Sequence, residues 1–590
     1  MNQQISIEEM CKKLRPILDK KADALYFQYV MSSELLVKKQ IEQAISALYS
    51  KHVSESLLTD NILLEPPKAN IITGNYPIAK IKYGNSSMHD FCLREKDFIR
   101  HVCITGMSGS GKTNLALNIL NQLSENKKPF LVFDWKKSFR PLLSINRNIL
   151  CFTIGNKAVS NDFKININNP PRGVSPREWL NVLCDLITET FAASYGVHKL
   201  LSETLDHAYR DFGVYEGSGN YPTWLQIKDR LEEKLEDLRG RKSRESEWLI
   251  SALRVAHVLT FGEFSEVINN KEKPLLNIEE LLSKNVIFEL DSLGNSEKRF
   301  FCSFILAYIY KYSKSNLKST ADFNHAIIID EAHNIFLKQK PMFVQELITE
   351  VIYREIREYG LSLICLDQHC SKLSDVVAGN SACNIAFQQM LPADLDAISS
   401  LMLLREKKKY FSMLPVGSAI VKLAERHYEP FQVEVELSKL KNVNIPDNEI
   451  KQRMATALNL IKSSKEKSEG IDIKALREEM SKISLIFNKS GVETKEADKH
   501  FESSINKKGS LSKQQHEFIK HIKKFPQYGT AQAYKALNMS ARQGNKIKEE
   551  LIGLGLIEVE EIRNEKGWKK VLKPRTNLLT EDPGMCELTA

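Results

Sequence analysis

No two of the ten cysteines form a C-x-x-C pair, and the nearest neighbours, Cys365 and Cys370, fall in and just after an apolar strand-like run. That spacing excludes a disulfide framework and a cysteine zinc site and points to a reducing compartment. Long apolar runs are also missing. The longest apolar helical stretch, "FFCSFILAYIYKY" at 300–312, is too short for a bilayer. The opening "MNQQISIEEMCKKLRPILDKK" has no signal-peptide apolar core. The expectation is a soluble, cytoplasmic protein with no membrane partner. There is no internal repeat, no nuclease constellation, no clustered His/Asp metal set and no Ser/His/Asp arrangement.

With 590 residues and 42% apolar content the chain is long enough for several domains and too apolar for wholesale disorder. The net charge of +9 is modest, but its placement is uneven. Residues 511–575 hold 14 Lys/Arg against 7 Asp/Glu, a segment suited to meeting a polyanion. Residues 1–60 read as polar amphipathic helices, and 61–90 as a short β-rich segment broken by Pro, Gly and Asn. From 91 to 441, apolar strands alternate with helices, interrupted by a mainly helical insertion at about 175–285. That alternation predicts an α/β fold with a mostly parallel, covered sheet. Residues 442–510, rich in Lys, Ser, Glu and Asn, read as a linker. A compact module at 511–575 and a polar tail at 576–590 close the chain.

The chemistry starts at "HVCITGMSGSGKTNLALNIL" (101–120), where an apolar strand runs into Gly106-Met-Ser-Gly-Ser-Gly-Lys112-Thr113 and then a helix. This is G-x-x-x-x-G-K-[ST] in its required setting. Gly106, Gly109 and Gly111 let the backbone curl so that N–H groups converge on a phosphate. Ser108, Ser110 and Asn114 complete the candidate nucleotide-binding set. Lys112 is placed for the β- and γ-phosphates and Thr113 for Mg²⁺, so the implied cofactors are ATP and Mg²⁺. "AIIIDEAHN" supplies the second half: Asp330 and Glu331 end a buried strand at the edge where ligands of open α/β sheets sit. Asp330 would hold the metal through water and Glu331 would polarise the attacking water. The S-A-T and Q-x-x-G-R-x-x-R marks of the DEAH-box helicases are missing, which excludes that reading of "DEAH". Gln368 ends the strand "LSLICLDQ"; it either senses the γ-phosphate or is simply solvated. Arg354 and Arg357, three residues apart, are either a solvated face paired with Glu355 or Glu358, or an arginine finger. Asp134, ending "PFLVFDW", either orients a metal-bound water or caps its strand.

In this order, "GMSGSGKT", a strand ending in Asp, a helical insertion, "IIIDEAHN", "REIREYGLSLICLDQ" and "LPVGSAIVKL" resemble the HerA/FtsK superfamily of P-loop ATPases over about 80–435. They are most similar to HerA-like motors that translocate on double-stranded DNA. The resemblance implies a RecA-like core, ATP hydrolysis, a homo-oligomer that is a hexameric ring, one of Arg354 and Arg357 acting in trans, and a separate nuclease or effector as partner in DNA processing or defence. Three features depart from the family. The N-terminus is helical where a β-barrel is usual, the acidic turn after the second strand reads "DWKKSFR", and Gln388 and Gln389 stand where an arginine is common.

The C-terminal module resembles a winged helix–turn–helix, with Arg542, Gln543, Lys546 and Lys548 on the candidate recognition helix and Arg563, Lys566, Trp568 and Lys569 on the wing. It serves either DNA contact or protein docking. Lys338 and Lys340 in "FLKQKPMF" are candidate pore-loop cations. Two alternatives to the motor stand beside it: a nucleotide-switched scaffold for an effector, and a conjugation-type DNA pump.

Overall fold

The structure, a computed structural model, describes residues 5–53, 62–146, 148–238, 243–339, 346–440 and 443–465. In the C-terminal part it describes 518–519, 521–522, 533–534, 536–537, 539, 541–553, 557–564 and 567–574. The chain divides into two units, 1–466 and 467–590.

The first unit opens with helices α1 (Ile7–Leu18), α2 (Lys20–Met31) and α3 (Leu35–His52). Ser6 caps α1 by accepting from the Glu9 N–H at 3.2 Å. Met10, Leu14, Ile45 and Tyr49 form a small core that includes Tyr83. Tyr83 ends β1 (Tyr76–Tyr83), which pairs antiparallel with β2 (Ser86–Leu93). The short α4 (Glu95–Ile99) then leads into β3 (Val102–Thr105), α5 (Lys112–Glu125), β4 (Phe130–Asp134) and β5 (Leu150–Thr153).

The insertion consists of α6 (Pro176–Phe191), α7 (Tyr195–Asp211), α8 (Trp224–Asp237), α9 (Arg244–Thr260), α10 (Gly262–Ile268) and α11 (Ile278–Leu281), with Trp179 and Trp224 fully buried. β6 (Val286–Glu289), α12 (Asn295–Asn316), β7 (Thr320–Ile329), α13 (Ile348–Glu355), β8 (Tyr359–Asp367), α14 (Asp375–Asn380) and β9 (Cys383–Ala386) continue the alternation. α15 (Pro392–Leu401), α16 (Lys409–Met413), β10 (Ser418–Leu423) and β11 (Phe431–Glu434) complete it.

Eleven strands form one sheet in the order β2-β1-β11-β10-β9-β3-β8-β7-β4-β6-β5. From β9 to β5 the pairings are parallel, and from β10 to β2 they are antiparallel. The parallel strands β3, β4, β6 and β9 are buried from end to end, as strands covered on both faces must be. This is the mostly parallel P-loop NTPase sheet expected from the alternation.

Two expected boundaries move. The β-rich segment is no separate piece, because β1 joins β11 at Lys80↔Glu434 and extends the main sheet. The segment expected as linker from 442 begins with a helix at 447–465. Its Ile450 and Met454 are buried in the main core, and Ala457, Leu458 and Ile461 pack against it. That is a helical stripe, concealed in the sequence by the Lys/Ser/Glu-rich residues between its members. No helix among the described residues is long and apolar enough to cross a membrane; α12, which holds the longest apolar run, is a core helix. The nine described cysteines are free.

In the second unit a helix, Ala541–Gly553, precedes an antiparallel hairpin of β12 (Ile557–Asn564) and β13 (Gly567–Pro574), whose closing pair is Asn564↔Gly567. Phe518, Ile522, Tyr534, Ile547, Leu551, Ile557 and Leu572 form its small core.

Candidate active site

The P-loop lies where β3 ends between β8 and β9. Gly106 N donates to Asp367 O at 3.1 Å, Phe387 N to Thr105 O at 2.8 Å, and Met107 N to Gln388 O at 2.7 Å. The loop needs its glycines. Gly111 has φ +125°, and a Cβ there would stand 2.9 Å from the Phe387 ring. At Gly106 a Cβ would stand 2.6 Å from Phe387 Cβ. Gly109, at φ +79°, faces open space.

The first intrahelical bond of α5 is Leu115 N to Gly111 O at 3.0 Å. The N–H groups of Lys112, Thr113 and Asn114 therefore head the helix without an intrahelical acceptor, at the positive end of its dipole. Lys112 is buried, and its ammonium donates to Gly106 O at 2.5 Å and Met107 O at 3.0 Å. Burial pulls its pKa down, while Glu331, Asp330 and Asp367 pull the other way, so three carboxylates lie within electrostatic reach of this one cation. Ser110 is buried, its hydroxyl on Met107 O at 2.7 Å. Asn114 does not face the loop: its amide donates to Glu436 O at 2.9 Å and accepts from Ser438 N at 2.7 Å, tying down the chain after β11.

Asp330 and Glu331 follow β7, two strands from the P-loop strand, with β8 between them. Burial, reinforced by the Asp134 and Glu331 carboxylates, raises the Asp330 carboxyl to about 7. A buried, repelled oxygen donor is chemistry that a small hard cation relieves, so Asp330 fits Mg²⁺. Glu331 takes the left-handed conformation at φ 51°. Lys136 and Gln368 both donate to its Oε1, and Lys136 is chief among the groups that hold its carboxyl below the ordinary value against burial. Gln368 is thus engaged with the catalytic candidate and not merely solvated.

Asp134 is fully buried and accepts from the N–H groups of Lys136 (3.0 Å), Ser138 (3.0 Å) and Phe139 (2.9 Å). Burial nevertheless lifts its pKa to about 6. These three bonds tie down the turn that follows β4.

The two arginines are not on one α-helical face. α13 stops at Glu355, and Arg357 sits in the 3₁₀ turn Ile356–Glu358. Arg354 pairs with Glu346, while Glu355 binds Tyr310 and Lys314, so the expected pairing with Glu355 or Glu358 is not formed. Arg357 is exposed, and its side chain makes no hydrogen bond or ion pair among the described residues. Both lie at the start of β8, whereas the P-loop meets its end. At about 3.3 Å per residue, the length of β8 separates these arginines from their own chain's P-loop.

Four residues of the site escaped the sequence reading: Lys136, His333, Asp367 and Phe387. Asp367 is a fully buried strand-end acid, the same signal that marked Asp330. It accepts from His333 N at 2.5 Å and His369 N at 2.7 Å, and lies 3.0 Å from His333 Nδ1. Glu331, His333 and Asp367 each offer a ligand atom within 4.8 Å of the others, a His/acid cluster the sequence reading did not find.

Among the DNA-contact candidates, Lys338 is not free: it pairs with Asp375 at 2.9 Å, beside a Leu337↔Leu373 bridge. Lys546 is exposed and Lys548 half-buried. Arg563 and Lys569 lie on the hairpin, paired in register with Trp568 and Ile562 respectively. Lys340 and Lys566 lie outside the described residues, as do the side chains of Arg542 and Gln543.

A parallel sheet with a glycine-rich loop opening α5, and an acid-ended strand converging on that loop's lysine, defines a P-loop nucleoside-triphosphatase domain. Residues 81–309 match the family model described as "Helicase HerA, central domain". The DNA double-strand break repair helicase HerA of Sulfolobus acidocaldarius is 22% identical over 335 residues, 56% of this chain and 63% of that protein. The chain thus spans less than two thirds of that relative's length. Among solved structures, VirB4 of Thermoanaerobacter pseudethanolicus aligns with TM-score 0.48 at 15% identity, over 62% of this chain and 98% of its own. The plasmid coupling protein TrwB, solved with ADP and Mg²⁺, aligns with TM-score 0.45 at 12% identity, over 59% and 88%. Residues 81–309 are thus similar to the HerA central domain, within a P-loop nucleoside-triphosphatase fold.

Proposed function

We propose that this chain hydrolyses ATP to drive movement along double-stranded DNA, as a homo-oligomeric, hexameric ring working beside a separate nuclease or effector in DNA processing or defence. The observation that carries the reading is the convergence of Lys112, at the head of α5, with the strand-end acids Asp330 and Glu331. The HerA central-domain match and the HerA relative supply the polymer on which such a motor acts.

The residues divide the work. N–H groups at the start of α5 and the Lys112 ammonium bind the β- and γ-phosphates once Lys112 leaves the Gly106 and Met107 carbonyls. Thr113 and Asp330 hold Mg²⁺, which neutralises phosphate charge. Glu331 takes the proton of the attacking water, and Gln368 fixes that carboxylate's direction. Arg357, exposed and uncommitted, reaches a neighbouring subunit's γ-phosphate. Its place at the far end of β8 is what an arginine acting in trans requires. In the second unit, Arg542, Gln543, Lys546 and Lys548, with the Arg563–Lys569 hairpin, contact DNA as a winged helix–turn–helix.

The test is DNA-stimulated ATP turnover by the full chain. Stimulation by linear duplex that disappears in Glu331→Gln supports the motor. Turnover indifferent to DNA refutes it and favours a nucleotide-switched scaffold.

A further inference from the structure

We propose that Lys136 is a lock that holds Glu331 out of action until a nucleoside triphosphate occupies the P-loop; the proposal rests on the reading of Glu331 as the acceptor of the water proton. A carboxylate works as a base through a lone pair free to face the attacking water. In Glu331 that freedom is curtailed. Oε1 accepts from both Lys136 Nζ and Gln368 Nε2, and Oε2 faces His333 Nδ1 at 3.8 Å.

The lock is delivered by a built turn. The buried Asp134 carboxylate gathers the N–H groups of Lys136, Ser138 and Phe139, which fixes where the Lys136 stem leaves the backbone. The two partners are unequally exposed: the Glu331 side chain is 10% exposed and that of Lys136 55%. An ammonium on a flexible, largely solvated stem is the partner that can leave. The polyphosphate competes for exactly that kind of group, a cation standing above a cluster of acids at the phosphate-binding edge. When Lys136 turns to the phosphate, Glu331 keeps only Gln368 and regains an acceptor for water. Lys136 thus acts through Glu331 as a positioning residue.

The experiment uses the full-length protein without DNA and separates kcat from KM for ATP in wild type, Lys136→Ala, Lys136→Arg, Glu331→Gln and the double variant Lys136→Ala/Glu331→Gln. At saturating ATP without DNA the phosphate and Glu331 still compete for Lys136, so losing this charge-assisted bond with a half-exposed partner raises basal kcat about three- to tenfold in Lys136→Ala, with a smaller change in KM. Lys136→Arg, whose guanidinium can keep the pair, turns over more slowly than Lys136→Ala. If Lys136→Ala does not fold, Lys136→Met, which keeps the apolar stem, carries the same expectation. An unchanged or lower kcat in the folded variant overturns the lock. Glu331→Gln abolishes turnover alone and in the double variant. Were Glu331→Gln to remain active, the reading of the site itself would fail; loss of activity there with a flat Lys136→Ala sinks the lock alone.

Discussion

Replacing Arg140 with methionine should destabilise the first unit by about 3–5 kcal/mol. Glu289, at the end of β6, is fully buried and takes a two-pronged bond from Arg140, Nε at 2.6 Å and the second guanidinium nitrogen at 2.8 Å. The remaining nitrogen meets Asp447 at 2.7 Å and Ile445 O at 3.3 Å, so one side chain joins the sheet to the 447–465 helix. Asp447 is 52% exposed, and its share is under about 1 kcal/mol. Most of the loss therefore comes from stranding a desolvated carboxylate.

Unfolding entropy near 2.1 cal/mol/K per residue makes a cooperative unit of this size lose about 3–5 °C in Tm. Arg140→Met/Glu289→Leu removes both charges and should recover most of that loss, since an apolar pair of similar volume replaces a buried ion pair at little cost. Differential scanning calorimetry of the three proteins decides the matter. A shift below about 1 °C in the single variant, or a double variant no better than the single, refutes the reasoning. Because Glu289 pairs in register with Asp134, the single variant should also loosen the turn that presents Lys136.

Gly111→Ala should abolish ATP binding measured by calorimetry, because its Cβ strikes the Phe387 ring from a backbone at φ +125°; unaltered affinity would contradict the cradle geometry. Arg357→Ala should lower kcat about 10³-fold or more, yet regain activity when mixed with Glu331→Gln subunits, each supplying what the other lacks. No recovery on mixing would remove the trans assignment, and Arg354→Ala, losing only a surface pair with Glu346, should be far milder. Glu189, on α6, accepts from the Ile348 N–H at the start of α13, and burial, aided by Asp185 and Glu350, lifts its pKa to about 8. The folded state therefore keeps this proton between its unfolded value near 4.5 and about 8, and stability falls as pH rises through that window. Glu189→Gln should flatten that slope and raise Tm at pH 8.5 while leaving pH 5 little changed; an unaltered slope would contradict the assignment.

What the sequence revealed follows from how local each signal is. The P-loop and the strand-end pair Asp330-Glu331 were readable because their chemistry is set by neighbours in the chain: strand, turn, helix, or strand, acid, acid. The same local rule marks Asp367, the strand-end acid beside Gln368. Lys136 and Phe387 were not readable, since each acts on a partner brought close only by strand order, β4 beside β7 and β9 beside β3. The direction of the Asn114 side chain was unreadable for a related reason. Asn114 follows Thr113 in sequence, but a helix turns about 100° per residue, so its side chain points to 436–438 and not to the loop. The helix at 447–465 was hidden by composition, because its buried stripe rests on Ile450 and Met454 amid charged residues.

The most direct test is ATP binding and hydrolysis by purified full-length protein with Mg²⁺, compared with Lys112→Ala and Glu331→Gln. Wild type should turn over; Glu331→Gln should still bind ATP but lose turnover by about 10²-fold or more; Lys112→Ala should lose binding. Turnover surviving in Glu331→Gln, or undiminished ATP affinity in Lys112→Ala, would contradict a triphosphate held and cleaved where β3 and β7 bring these side chains together.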